Sequence, residues 1–365
     1  MTAGLLALSV AALATVGIAP SAAARAEAVL YGSSGVTAVA FSRDGTLLAG
    51  GYADGAVRLW DWNAATGQIH GPVLLAGSGA AGPVNGVAFS PDGTLLAGGY
   101  GDGTVRLWNP VTGQPFGSPL QAGSAVNAVA FSPGGALLAA AEANGTVRMW
   151  NPATGQPSGS PLQAGSAVNA VAFSPDGALL ASGYADGTVR LWNVATGQIY
   201  GAVLLAGSGA AGAVNGVAFS PDGTLLACGY GDGMVRVWNP VTGQLSGSPL
   251  QAGSAVNAVA FSPDGALLAS ANANGTVGVW NPATGQQAGS ALQAGSAVNA
   301  VAFGRNGKLA DGGANGVVLL WSQVGQPAGL GSGYWIILAA AVIAIVLAVL
   351  AAVITTHETR PARQP

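Results

Sequence analysis

The side chains that most often do chemistry are scarce: His70, His357 and Cys228 are the only two histidines and one cysteine in 365 residues. Two imidazoles and one thiol cannot assemble a zinc-type ligand set. His70 reads as a loop residue and His357 as part of a tail, so no serine or cysteine is matched to a histidine base for nucleophilic attack. Cys228 alone excludes an intramolecular disulfide and reads as a small apolar filler. The aspartates of Ser-Pro-Asp-Gly segments, Asp92, Asp176, Asp222 and Asp264, each stand singly in a turn. Asp favours such positions by bonding its own backbone, whereas calcium needs clustered oxygens. Gly-Ser-Gly-Ala-Ala-Gly at 77–82 and 207–212 has the spacing of a dinucleotide-binding loop. That loop needs a helix N-terminus to receive a pyrophosphate, and the Val-Asn-Gly-Val-Ala-Phe that follows each copy is patterned as a strand. Asn144-Gly145-Thr146 and Asn274-Gly275-Thr276 match the N-glycosylation acceptor; equally, they stand where other repeats have Asp-Gly, and either dipeptide suits a hairpin turn with positive φ. We therefore expect no catalytic residue, no metal and no cofactor, and read the chain as not an enzyme.

What carries these residues is a repeat. Ala-Phe-Ser or a close variant recurs at Phe41, Phe89, Phe131, Phe173, Phe219, Phe261 and Phe303, and about 19 residues after each comes a tryptophan: Trp60, Trp108, Trp150, Trp192, Trp238, Trp280 and Trp321. Spacings of 41 to 48 residues between successive units fit four short strands per unit. Within residues 166–198, Val168–Phe173, Leu179–Leu180 and Val189–Trp192 are β-rich runs broken by Pro-Asp-Gly, Ala-Asp-Gly and Ala-Thr-Gly turns. One such small sheet cannot bury its apolar faces alone, so the units must stack in a ring. Residues 89–174 match 219–304 closely at an offset of 130, for example in the Asn-Pro-Val-Thr-Gly-Gln at Asn109 and Asn239. The second to fourth units thus read as copied into the fifth to seventh, and a site on their loops should occur twice, which suits a repetitive or two-fold partner.

The segments Ala218–Gly223 (AFSPDG), Asp102–Trp108 and Asp186–Trp192 (DGTVRLW) resemble the WD40 repeat family, and the resemblance runs from about Ala28 to Ser322. It implies an all-β, seven-bladed WD40-type β-propeller over 28–322, in which Trp60, Trp108, Trp150, Trp192, Trp238, Trp280 and Trp321, with Asp54, Asp102, Asp186 and Asp232, form the structural motif of the blades. It also implies that Ala28–Tyr31 pairs beside Val317–Trp321 and closes the ring. The sequence departs from the family in having no Gly-His pair; Gly123-Ser124, Gly165-Ser166, Gly253-Ser254 and Gly295-Ser296 stand there instead, and only Trp60-Asp61 keeps the Trp-Asp pair. The family's buried His, Ser/Thr, Asp and Trp set is thus incomplete in every blade, even where Ser182, Asp186 and Trp192 keep three members.

Both ends are hydrophobic. Residues 5–18 are an apolar run followed by Pro20 and Ala24-Arg25-Ala26, the pattern of a secretory signal cleaved after Ala26. No Lys or Arg precedes the run, so residues 1–26 read as a signal peptide, an uncleaved N-terminal hydrophobic anchor, or the product of a mis-assigned start codon. After a Gly-rich linker at 323–333, residues 334–354 are 21 uncharged residues, about 31 Å of helix, which matches a bilayer core. This stretch is expected to be one C-terminal transmembrane α-helix. Tyr334 and Trp335 stand at its interfacial edge, and Arg360 and Arg363 in the tail at 355–365 place that tail in the cytoplasm and the propeller outside it.

Net charge is −3 and Lys308 is the only lysine, so the basic stripe that nucleic acid demands is absent. Ala- and Gly-rich usage with arginine preferred to lysine suggests a GC-rich, bacterial genome. In WD40 proteins partners often dock where the loops between second and third strands and between blades surround the channel. Here that face should carry Tyr52, Tyr100, Tyr184 and Tyr230 with Asn85, Asn127, Asn169, Asn215, Asn257 and Asn299, an aromatic and amide surface suited to a protein or peptide; the tyrosines could instead pack between blades. The leading expectation is a membrane-tethered, single-pass interaction scaffold. The alternatives are a regulatory or sensory part of a larger signalling protein or enzyme complex, and a self-associating envelope component.

Overall fold

The computed structural model describes residues 26–63, 68–75, 82–205, 212–305, 307–322 and 324–325. The described residues form seven four-stranded antiparallel sheets, each a blade built outward from an inner strand. The inner strands are Val36–Phe41, Val84–Phe89, Val126–Phe131, Val168–Phe173, Val214–Phe219, Val256–Phe261 and Val298–Phe303, and each packs against the next around the ring, the last against the first. Blades 1 to 6 run in sequence order. Blade 7 takes its outer strand from the start of the propeller: Ala26–Tyr31 pairs antiparallel with Val317–Trp321, Tyr31 opposite Val317 and Ala28 opposite Leu320. The ring is therefore fastened by main-chain hydrogen bonds between its two ends.

The second strands explain why blades stack. In Leu96–Tyr100 every residue is buried, because both faces of the sheet are covered, and small residues at the middle positions let the neighbours approach. Each apolar cluster straddles two blades. Val57 and Leu59 of blade 1 pack with Val84, Val87 and Leu96 of blade 2, and Leu30, Val318 and Leu320 of blade 7 pack with Val36, Leu48 and Trp60 of blade 1. Burying each such Val or Leu contributes roughly 1.5–3 kcal/mol, and no single blade has a partner face for it.

The turns joining inner to second strands follow their sequence. Ser90 Oγ donates to Asp92 Oδ1 at 2.6 Å and accepts from Leu95 N at 2.9 Å, while Gly93 takes φ 72° with no atom within 4 Å of a Cβ placed there. Glycine is needed at that position for its backbone angle, not for room. Asp92, Asp176, Asp222 and Asp264 all accept from the preceding Ser hydroxyl and from a backbone N–H two residues on, and these bonds, the Ser hydroxyl first, hold their pKa values below the ordinary carboxylate range.

Some expectations need correction or fall elsewhere. His70 lies in the outer strand Gln68–Leu75, paired opposite Asp61, and not in a loop; the length of that strand drew it in. A strand, Val84–Phe89 or Val214–Phe219, follows each glycine-rich hexapeptide. Asn144-Gly145 and Asn274-Gly275 are built as turns, with Asn144 Oδ1 accepting from Thr146 N and Asn274 Oδ1 from Thr276 N. Among the described residues no helix is long and apolar enough to cross a membrane. All but Ala26 of the expected N-terminal signal or anchor over 1–26, the transmembrane helix at 334–354, the tail at 355–365 and all but Val324 and Gly325 of the linker lie outside the described residues; Ala26 itself begins the closing strand, opposite Trp321.

Candidate functional site

Each inner strand slips register at its second residue: the pairing shifts between Val84 and Gly86, Val126 and Ala128, Val168 and Ala170, and likewise in the other blades. A bulged residue leaves the ladder and re-aims its side chain. The residues so freed are Thr37, Asn85, Asn127, Asn169, Asn215, Asn257 and Asn299. Asn85 Nδ2 donates to Val126 O of the next blade at 2.9 Å, Asn127 to Val168 O at 2.8 Å, Asn169 to Val214 O at 3.1 Å, Asn215 to Val256 O at 3.0 Å and Asn257 to Val298 O at 2.8 Å. Asn299 reaches Val36 O at 2.8 Å, and Thr37 completes the circuit by donating to Val84 O. The expected asparagines are thus brought together as one ring of blade-to-blade bonds. Their amide oxygens accept nothing among the described residues, and the side chains are half-buried.

The tyrosines do not form a face with them. Tyr52, Tyr100, Tyr184 and Tyr230 are 0% exposed, which corrects the expectation of an aromatic docking surface in favour of packing between blades. The physical cause is double cover. Each ring is packed in the cluster shared with the preceding blade, and an arginine two residues before the blade's tryptophan lies over it: Arg58 on Tyr52 at 4.3 Å, Arg106 on Tyr100 at 4.6 Å, Arg190 on Tyr184 at 4.8 Å and Arg236 on Tyr230 at 4.5 Å. Burial raises the pKa of each phenol, that of Tyr100 to about 12. Blade 3 replaces the pair with a buried Glu142, whose Oε1 lies 2.9 Å from Arg148 Nε and whose Oε2 accepts from Gly123 N at 3.0 Å. Blades 6 and 7 carry Gly278 and Leu319 at the arginine position. The arginines therefore trace an arc over five consecutive blades. Sequence reasoning missed them, although Val-Arg-x-Trp recurs and held the signal.

The motif tryptophans end the third strands of blades 2, 3, 5, 6 and 7, lie within those of blades 1 and 4, and are all buried. The aspartates of the blade motif are elsewhere. Asp54, Asp102, Asp186 and Asp232 are exposed at the turns between second and third strands, where Asp102 Oδ1 accepts from Thr104 N and Oγ1, Asp186 Oδ1 from Thr188 N and Oγ1, and Asp232 Oδ1 from Met234 N; Asp102 and Asp232 also pair with Arg106 and Arg236. With no histidine to draw them inward they cap their own turns, so Ser182, Asp186 and Trp192 do not make one network. The buried network of blade 4 is instead Trp192 Nε1 donating to Ser182 Oγ and Ser182 Oγ donating to the Tyr184 hydroxyl, both at 2.8 Å. Gly50, Gly98, Ala140, Cys228, Ser270 and Asp311 hold the serine's position in the other blades, as their cross-strand partners show. The hydroxyls of Tyr52, Tyr100 and Tyr230 and Trp238 Nε1 are buried without a hydrogen bond of good geometry. In blade 7, Trp321 Nε1 donates to Asp311 Oδ2 at 2.5 Å, and burial pushes the Asp311 carboxyl up to about 6.

Chemically this face offers hydrogen-bond acceptors and arginines, most of them already engaged. Cys228 is fully buried and its thiol pKa is pushed far up by that burial, so it is held as a neutral thiol, the unreactive form. Among the described residues no three His, Cys, Asp or Glu side chains gather as metal ligands.

Comparison with curated proteins finds no match to the chain. The family described as WD domain, G-beta repeat matches six segments, residues 25–61, 72–109, 117–151, 158–193, 203–239 and 242–281. Its first segment takes in the strand that closes blade 7. Seven blades, a closing strand borrowed from the start of the propeller, and repeat matches over more than half the sequence converge on one conclusion: the chain belongs to the WD40 repeat family.

Proposed function

We propose that the protein is a non-catalytic interaction scaffold, a WD40 propeller tethered to a membrane by residues 334–354, displayed outside the cytoplasm with its tail inside, and binding a protein or peptide on the face where the second-to-third-strand turns surround the channel. WD40 propellers commonly serve as protein-interaction scaffolds. The observation that carries the reading is the closed ring of seven side-chain bonds from Thr37 to Asn299, which fixes the blades relative to one another and leaves six asparagine oxygens without acceptor duty. A rigid surface loses little entropy on binding. Neutral amides and arginines held over tyrosines suit a partner recognised by hydrogen bonds more than by net charge. Tethering is supported by the 21-residue uncharged run, a length that fits a bilayer core.

The test is site-specific photo-cross-linking from Ala53 and Ala185, both exposed at second-to-third-strand turns, in cells making the full chain. A discrete adduct with another protein from both positions is expected. Adducts only with a second copy of the chain would favour the self-associating alternative, and no adduct from either would contradict the scaffold reading.

A further inference from the structure

At the opposite end of the blades, where inner strands turn into second strands, a cleft of about 520 Å³ opens at blades 2 and 3 and reaches Arg43 of blade 1. Its apolar wall includes Pro91, Phe116, Pro133 and Pro152. The internal duplication supplies a control for it. Of the twelve wall residues in blades 2 and 3, ten recur unchanged 130 residues later, Ser90 as Ser220 and Pro152 as Pro282 among them; the two that differ are Phe116, where the copy has Ser246, and Gly134, where the copy has Asp264. Arg43 likewise stands where blade 4 has Pro175. The repeat is thus broken by an aromatic ring, a lost carboxylate and an added guanidinium, all at one cleft.

None of the three is required by the fold. Phe116 is 40% exposed. A Cβ at Gly134 would meet no atom within 4 Å, and its φ is not in the left-handed region, so glycine there serves to leave space. Arg43 is exposed and makes no hydrogen bond or ion pair among the described residues. The carboxylate and amide acceptors in the cleft are occupied: Asp92 takes hydrogen bonds from Ser90 Oγ, Thr94 N and Thr94 Oγ1, and Asn109 Oδ1 takes those of Val111 N and Thr112 N. The unused groups are donors, the Arg43 guanidinium and the Asn109 amide nitrogen. A ligand must therefore bring a flat or prolyl ring for the apolar wall and an acceptor, best a carboxylate, for a guanidinium.

We infer that this cleft is a second binding site, taking a peptide segment in which a proline or aromatic ring adjoins a carboxylate. It rests on the scaffold reading in that the occupant is a peptide, but it lies at the other end of the blades from the face proposed above. The binding group is the Arg43 guanidinium with Phe116 as the stacking surface, and Gly134 admits the chain.

The test is fluorescence anisotropy of fluorescein-labelled Gly-Gly-Pro-Phe, with a free C-terminal carboxylate or as its amide, titrated with the full-length chain in detergent. The expected result is saturable binding of the acid, at least 10-fold weaker for the amide, and at least 10-fold weaker for the acid with Arg43→Ala, Phe116→Ser or Gly134→Asp. Arg43→Ala should also abolish the difference between acid and amide. Phe116→Ser and Gly134→Asp reproduce residues the copy already carries, so their folding is safeguarded. Absence of saturable binding, equal binding of acid and amide, or indifference to Phe116→Ser would overturn the site. Such a failure with cross-links from Ala53 and Ala185 intact would leave the scaffold reading standing; peptide binding that persists where those cross-links fail would uphold the cleft and count against the proposed face.

Discussion

Asn299 donates its side-chain amide to the main-chain carbonyl of Val36 at 2.8 Å, across 263 residues of sequence. It is the same bond that each preceding asparagine makes to its neighbouring blade, here made between the last blade and the first. Closure of the propeller therefore rests on two devices: the outer strand Ala26–Tyr31 at the rim and this bond near the axis.

Replacing Asn299 by Ala should lower stability by about 1 kcal/mol, the net worth of one such hydrogen bond, and Asn127→Ala by a similar amount. Urea unfolding of the two variants checks this. A closing bond that merely decorates an already fixed ring would show no loss in either.

Blade 4 shows what blade 5 lacks. Ser182 links Trp192 to Tyr184, whereas Cys228 leaves Trp238 Nε1 and the Tyr230 hydroxyl without a hydrogen bond of good geometry. Cys228→Ser should therefore stabilise by roughly 0.5–1.5 kcal/mol, and Ser182→Ala should destabilise by about 1–3 kcal/mol because it strands two buried polar groups. Thermal melts of the pair, with opposite signs, are the readout.

Asp311 should make stability depend on pH in an unusual direction. Its folded pKa of about 6 is raised by burial above the ordinary 3.8. Between those values the folded state holds a proton that the unfolded state has lost, so this residue's contribution falls as pH rises from about 4 to about 6 and stays low above that. Asp311→Asn, which keeps an acceptor for Trp321, should be more stable than the parent by about 3 kcal/mol at pH 7.5 and about equal to it near pH 4. Chemical denaturation at the two pH values measures the difference, and a gap of the same size at both would refute the assignment.

The Glu142–Arg148 pair is the one acid–base pair in which a partner is fully buried among the described residues, with Glu142 at 0% and the Arg148 side chain at 36% exposure. Arg148→Ala strands the carboxylate and should cost about 2–3 kcal/mol, less than for a fully buried pair because water reaches Arg148. Glu142→Tyr should be tolerated, since it restores the tyrosine and arginine stack of the neighbouring blades. Circular-dichroism melts of both variants separate these outcomes.

The number of blades was legible because it is written as period, a phenylalanine and a tryptophan at fixed spacing, whereas the closing strand Ala28–Tyr31 was expected from the resemblance to WD40 repeats. The asparagines were legible as a recurring set but not in their role, since the register shift that aims Asn85 at Val126 is a property of two strands together. Tyrosine has no fixed side of the surface, and only the preceding blade and Arg106 decide that Tyr100 is interior. The aspartates were misplaced because their buried role presumes a histidine that this sequence lacks. The cleft at Phe116 was invisible for a different reason: its three unusual residues come from three blades and meet only in the folded ring.

The measurement closest to the central claim is protease accessibility of the full chain in intact cells, with a tag at the C-terminus and the propeller and tag followed separately. A displayed, tethered scaffold predicts digestion of the propeller and protection of the tag. A propeller that is protected in intact cells and digested only after the plasma membrane is selectively permeabilised would contradict display, and would make the protein a scaffold of the cytoplasm.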